Sequence, residues 1–462
     1  MRSIQTLSIA AILLASGVGV AGHATAADAR KAAADKFIAE DYEIEPRPPG
    51  IQIIASELEG PVFATAAGLT IYNWPVKVLR NAATGDRPGA QSICNDDIER
   101  ETVGYTSPYP AGSELPDADN RPTCQQYWPP LLAAADSVPV GKWTIQTRKD
   151  GSKQWAYKGL ALYTSHLDKN PGETFGGTYR KSRDGSGDGA PRLPIRPPPA
   201  IPPQFTVATM AQGQMLATDT KRSVYTYDKD TATKSNCTGK CLDKRTPMIA
   251  PDFAVARGVW TVASRDDGRK QWAYRGKPLY TYNLDLHETS YEGSDEPGWH
   301  NVYLQRTPSA PKGFKLVDTR AGQVVATDDG KTIYYYSCVE DTVAALDCQD
   351  FGSPQEYRWA ICGRFDIDRC LNQFPYVVAD KNAKSDSIAW NIVYVNPRTG
   401  RQAEPTSPDA LRVWAFRNKP IYTFSGDTYV GSIEADAWGQ DHGRRNGYTA
   451  FWVRDDFKDL DD

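Results

Sequence analysis

The chain has 462 residues, a formal net charge of −4 and no basic cluster, so it lacks the electrostatic footprint of a nucleic-acid binder. Its length allows roughly two to four domains. Aromatic residues make up 11%, with 24 Tyr and 12 Trp against 4 Met, which suits β-sheets and polar ligand surfaces and argues against helix bundles.

Residues 1–26 read as an export signal peptide. Arg2 supplies the positive start, Leu7 to Val20 is an apolar run too short for a comfortable span, and Ala24-Thr25-Ala26 is a small-residue cleavage site. Cleavage there leaves 52 basic against 57 acidic residues, a formal charge of −5. No cysteine stands near the cut to take a lipid, and no later run is apolar enough for a transmembrane segment. A periplasmic or secreted protein is expected. Residues 27–49 hold an Ala- and charge-rich stretch, predicted as a short helix over 28–40, and then the spacer Pro46-Arg47-Pro48-Pro49.

Repeat domain 1 is placed at 50–190, repeat domain 2 at 204–306 and repeat domain 3 at 313–458. Each opens on two short apolar runs around a turn: Gly60 to Thr65 then Gly68 to Tyr72, Gly213 to Thr218 then Ser223 to Tyr225, and Gly322 to Thr327 then Gly330 to Tyr334. A cysteine-bearing loop and a Trp-led strand follow, at Trp143, Trp260 and Trp390. Next comes a repeated hairpin, Gln154-Trp155-Ala156-Tyr157, returning as Gln271-Trp272-Ala273-Tyr274 and more loosely as Val413-Trp414-Ala415-Phe416. Its period of two predicts strands. Proline-rich linkers at 191–203 and 307–312 separate the units and are expected to act as semi-rigid spacers. The expected fold is all-β, three tandem β-rich domains. Six hairpin-like halves also admit a single six-bladed β-propeller, against which the long proline linkers argue.

Eight cysteines in an exported chain predict disulfides. Cys237 and Cys241 are spaced for a small closed loop, and Cys94 with Cys124 would be the equivalent bond across a longer insertion. Cys338, Cys348, Cys362 and Cys370 allow three pairings.

The aromatic-aspartate pattern is clearest as Tyr225-Thr226-Tyr227-Asp228-Lys229-Asp230 and recurs as Tyr280, Tyr282, Asp285 and as Tyr422, Phe424, Asp427. Together with Cys237-Thr238-Gly239-Lys240-Cys241, Trp128-Pro129-Pro130-Leu131 and the Gln-Trp-Ala-Tyr strand, it resembles a secreted-repeat family of predicted lipoproteins with a Tyr-x-(Phe/Trp/Tyr)-x-x-Asp motif. The resemblance implies an exported β-rich protein and supplies no mechanism. Lys77 and Val339 stand where the first copies in units one and three would place their Asp.

The candidate ligand-binding residues are Tyr225, Tyr227, Asp230, Trp272, Tyr280, Tyr282, Asp285, Tyr422, Phe424 and Asp427. Ring packing and turn capping are the plainer roles for them. An exposed ring pair beside a carboxylate would instead suit a sugar face. The remaining histidines lack metal-site spacing, Cys-x-x-Cys-His and Gly-x-Ser-x-Gly do not occur, and no cofactor is implied. Asp184 to Gly189 begins like a calcium loop, but Ile195 stands where the bidentate Glu belongs, so a flexible linker is expected. The reading is a non-catalytic binding or scaffolding module of the cell envelope, with an envelope protein or polysaccharide as partner. The alternative is a periplasmic enzyme or redox accessory with a carboxylate-based site between repeats, drawn from residues such as Asp230 and Asp285.

Overall fold

A computed structural model describes residues 41–43, 45–73, 94, 96, 100–101, 112–114, 119, 123–176, 193–210, 212–285, 289–290, 292–336, 358–436 and 448–454. The signal peptide, the helix expected over 28–40, the Asp184–Gly189 stretch, Cys338 and Cys348 lie outside them. Among the described residues the regular secondary structure is almost entirely antiparallel β-sheet, and its strands close neither a barrel nor a propeller.

The first unit pairs β1 (Ile51–Ser56) with β2 (Gly60–Thr65), Ile51 opposite Thr65. Then come β3 (Tyr72–Asn73), β4 (Trp143–Thr147), β5 (Lys153–Tyr157), β6 (Leu160–Tyr163) and β7 (Leu193–Pro194), in the sheet order β4-β5-β6-β3-β7. Pro194 of the expected spacer thus lies in an edge strand, where a missing N–H costs the ladder nothing.

The second unit holds β8 (Phe205–Met210), β9 (Gly213–Thr218), β10 (Tyr225–Tyr227), β11 (Arg245–Pro247), β12 (Trp260–Ser264), β13 (Lys270–Tyr274), β14 (Lys277–Pro278), β15 (Tyr280–Tyr282), β16 (Trp299–Asn301) and β17 (Tyr303–Arg306). These form three sheets, β17-β9-β8, β12-β13-β14 and β11-β15-β10-β16. The third unit holds β18 (Phe314–Thr319), β19 (Gly322–Thr327), β20 (Tyr334–Tyr336), β21 (Trp390–Val395), β22 (Leu411–Phe416), β23 (Lys419–Tyr422), β24 (Tyr448–Ala450) and β25 (Trp452–Arg454). Its sheets run β18-β19-β25 and β21-β22-β23-β20-β24.

The repetition extends to single hydrogen bonds. Ile195, Val302 and Phe451 each accept from the opening hairpin, through the amides of Phe63, Leu216 and Val325, and each donates to the residue just before the next strand, Ile71, Val224 and Ile333. Trp143, Trp260 and Trp390 stand opposite Tyr157, Tyr274 and Phe416. The turn after that ring has two left-handed residues in every copy: Lys158-Gly159 (φ 52° and 81°), Arg275-Gly276 (49° and 72°) and Arg417-Asn418 (49° and 61°). Such two-residue hairpin turns match the twist of the strands they join, and Gly or Asn tolerates the positive φ.

The units also touch one another. The tip between β1 and β2 reaches both of the others. Glu57 accepts from the amides of Ile388 and Ala389 in unit three, and Gln305 of unit two donates to the carbonyls of Ser56 and Glu57. Leu58 is buried in a cluster of unit three with Val325, Ile333 and Trp414.

Candidate functional site

The first tyrosines of the two half-units face each other across one strand pair in every unit: Tyr72 with Tyr163, Tyr225 with Tyr280, Tyr334 with Tyr422. All six rings are buried. A buried phenol needs an acceptor, and the motif Asp supplies it from the opposite half. In unit two the exchange is reciprocal. Tyr225 Oη donates to Asp285 Oδ1 at 2.8 Å, and Tyr280 Oη donates to Asp230 Oδ2 at 2.8 Å.

Units one and three keep one arm each. Tyr72 donates to Asp168 Oδ2 at 2.6 Å, and Tyr334 donates to Asp427 Oδ2 at 2.7 Å. The surviving carboxylate is always that of the second half. Its other oxygen also holds the loop that follows: Asp168 Oδ1 accepts from the amide of Phe175, and Asp427 Oδ1 accepts from Ser432 Oγ and the amide of Glu434. In unit three, where Val339 replaces the first Asp, Tyr422 instead lies under the buried Arg358 guanidinium, 4.3 Å from its ring centre. Arg358 donates to the hydroxyls of Tyr376 and Tyr448, at 2.8 Å each.

Burial is the main cause of the shifts in these groups. It raises Asp168 to about 7 against the opposing bonds from Tyr72 and Phe175. It raises Asp285 to about 8, helped by the neighbouring Glu292 and opposed by Tyr225. Asp230 and Asp427 move up for the same first reason, and the tyrosines Tyr225, Tyr280 and Tyr334 are pushed well above the usual phenol range.

Of the ten sequence candidates, Tyr225, Asp230, Trp272, Tyr280, Tyr282, Tyr422, Phe424 and Asp427 are buried, and Tyr227 and Asp285 are half-buried. Tyr227 stacks on Trp299 at 4.5 Å, Tyr282 lies under Arg245 at 4.1 Å, Phe424 packs on Phe374 at 4.8 Å, and Trp272 meets Trp260 edge-on at 6.1 Å. Among the described residues no pair of motif rings forms an open sugar face.

The cysteine loops are stapled by Cys94–Cys124, Cys237–Cys241 and Cys362–Cys370. Two buried arginines tie them to the hairpins. Arg148 donates to Gln154 Oε1 at 2.7 Å and to the Cys94 carbonyl at 2.6 Å. Arg265 makes the same bond to Gln271 Oε1, at 2.7 Å, and reaches Ser235 Oγ, which also meets Tyr280 Oη. Sequence reasoning missed both arginines. Their signal was the constant spacing of five residues after Trp143 and Trp260. In unit three that position is Val395 and the Gln position is Val413, and both are fully buried.

A cleft of about 680 Å³ opens between units two and three. Trp299, His300, Asn301, Tyr303 and Arg306 form one wall, and Phe314, Lys315, Leu316, Gln323 and Val325 the other, with Thr307 to Ala310 between them. Among the described residues no carboxylate lines it.

Among the described residues there is no group of three or more potential metal ligands, and no helix is long and apolar enough to cross a membrane. No curated protein and no solved structure matches the chain. One family model does, over residues 144–180, 206–248 and 261–300, each segment holding one motif carboxylate: Asp168, Asp230 and Asp285. The repeating element is thus the half-unit, and the chain carries three copies matched to a family described as a secreted repeat of unknown function.

Proposed function

We propose that the protein is a non-catalytic binding module of the cell envelope, working in the periplasm or outside the cell, whose ligand enters the cleft between units two and three. One observation carries this reading. The motif carboxylates Asp168, Asp230, Asp285 and Asp427 each accept a bond from a buried tyrosine of the opposite half, so they serve the fold. The cleft lies elsewhere, and among the described residues no acid lines it to perform general acid–base work. The test is incubation of the mature protein with envelope polysaccharide fractions. Retention of the polymer without release of reducing ends is expected, and hydrolysis would overturn the reading.

A second reading, a carboxylate-based enzyme, has one observation in its favour. The carboxyls of Asp285 and Glu292 lie buried beside each other, and Asp285 is raised to about 8, as a general acid would be. Asp285→Asn with Glu292→Gln would then abolish turnover on any substrate found, while a binding module would keep its ligand.

A further inference from the structure

The segment ahead of β1 crosses from unit two to unit one, over the proline linker between them. Its described residues are 41–43 and 45–47. Asp41 is fully buried against unit two, where Tyr274 Oη donates to its Oδ1 at 2.8 Å and Arg275 Nη2 donates to its Oδ2 at 2.7 Å. The buried Tyr42 ring joins the apolar cluster of Phe205, Leu216, Trp260 and Tyr274. Glu45 then turns to unit one, accepting from Tyr157 Oη at 2.8 Å and pairing with Lys142. Burial pushes the Glu45 carboxyl up, but Lys142, Tyr157 and Lys158 outweigh it and hold the group below its usual range.

The two docking points are one feature repeated. Tyr157-Lys158 and Tyr274-Arg275 end the same Gln-Trp-Ala-Tyr strand, and each offers a phenol and a cation to a carboxylate. Unit three has Phe416-Arg417 there, and Glu59 meets its cation. Between the two points the segment pairs with the linker. The Glu43 N–H donates to the Pro198 carbonyl and the Ala200 N–H to the Asp41 carbonyl, at 2.8 Å each. Pro197, Pro198 and Pro199 lack N–H groups, so the linker cannot hold itself in a ladder. The attachment lies at the surface. The side chains of Arg275 and Lys142 are 42% and 49% exposed, so release would return both carboxylates and their partners to water. Glu59 and Arg417, both buried, could not part without stranding a charge.

We propose that this segment is a detachable strap, a peptide ligand carried by the chain itself, which locks unit two to unit one across the linker through the repeated phenol–cation pairs. Its recognition elements are the carboxylates of Asp41 and Glu45 and the Tyr42 ring between them. Tethering gives it an effective concentration of about the millimolar order, so a modest intrinsic affinity keeps it seated. The surface it covers fits an extended acidic segment with one aromatic ring, and the chain's own strap is its occupant.

The test uses the mature chain carrying Asp41→Asn, Tyr42→Ala and Glu45→Gln. Hydrogen exchange at the Ala200 amide should rise about tenfold or more while β9 and β13 keep their protection. A free peptide of residues 39–49 should bind this variant with a Kd below about 1 mM and restore the protection at Ala200. The same peptide carrying Asp41→Asn and Glu45→Gln should bind at least about tenfold more weakly. Tyr157→Phe with Tyr274→Phe attacks the same contacts from the other side and keeps the ring that unit three carries as Phe416. It should loosen Ala200 without unfolding unit two. Unchanged exchange at Ala200 in both variants would overturn the proposal, and so would failure of the native peptide to bind. A rise spread evenly over β9 and β13 in both variants would make the segment an inseparable part of the core and overturn its detachment. A parent chain that dimerises, and that the strap substitutions turn into monomers, would seat the strap on a second copy and overturn a lock within one chain.

Discussion

A tyrosine hydroxyl and a carboxylate that solve each other's burial are the smallest recurring part of this protein. Asp168 is 3% exposed and Asp285 is half-buried, and both are raised, to about 7 and about 8. Each acid therefore holds its proton more tightly folded than unfolded, where a carboxyl titrates near about 4. Their stabilising contribution is complete below about pH 4 and is lost as pH rises through 7 to 8. The protein should melt at a higher temperature at about pH 5 than at about pH 8.5, and Asp168→Asn should remove part of that difference. A pH-independent melting point would refute the assignment. The spacing of Tyr and Asp was legible in the chain, because alternation along a strand is a local property. The bond itself was not. Tyr225 and Asp285 are 60 residues apart, and only the pairing of β10 with β15 brings them together. Arg358 was equally silent, since its partners Tyr422 and Tyr448 come from distant strands.

At the scale of the strand, the three hairpins show two ways of filling one position. Units one and two bury an Arg–Gln pair beneath the Trp-led strand, and unit three buries Val395 and Val413 in its place. Removing one partner leaves a buried charge or amide unmatched, whereas replacing both by apolar groups is often neutral. Gln271→Val alone should therefore cost about 2–3 kcal/mol, more than the double change Arg265→Val, Gln271→Val. Additive losses in a denaturation cycle would count against this exchange. Trp272, buried against Trp260, should cost about 3–5 kcal/mol when changed to Ala. A parent-like melting curve for Trp272→Ala would mean that the ring serves a ligand instead. The Gln-Trp-Ala-Tyr strand was readable because it repeats almost letter for letter. The substitution in unit three was not, because Val-Val differs from Arg-Gln in every chemical respect and matches it only in space.

At the scale of the molecule, the charge at the first hairpin tip binds units together. Burial pushes Glu59 up, but Arg196 and Arg417 on either side outweigh it and hold the carboxyl below its usual range. Arg417, from unit three, lies 2.9 Å from Glu59 and donates to the Thr174 carbonyl of unit one at 2.8 Å. Glu59→Ala strands the buried Arg417 and should cost about 3–5 kcal/mol, measured by denaturant unfolding. A loss below about 1 kcal/mol would show that the units do not depend on this contact. The proline runs suggested separable beads on a string. What the prolines could not reveal is that the residues just before β2 are buried against distant strands.

That burial bears on the order of events as the chain emerges and folds. Leu58 is synthesised early, and its neighbours Val325, Ile333 and Trp414 follow hundreds of residues later. Contacts of such sequence separation form late and slowly. Until the third unit arrives, the earliest hairpin carries a bare apolar tip and a Glu59 that only Arg196 can match. The newly made chain is therefore most vulnerable to aggregation and proteolysis at its first folded piece, and holding factors would act there first.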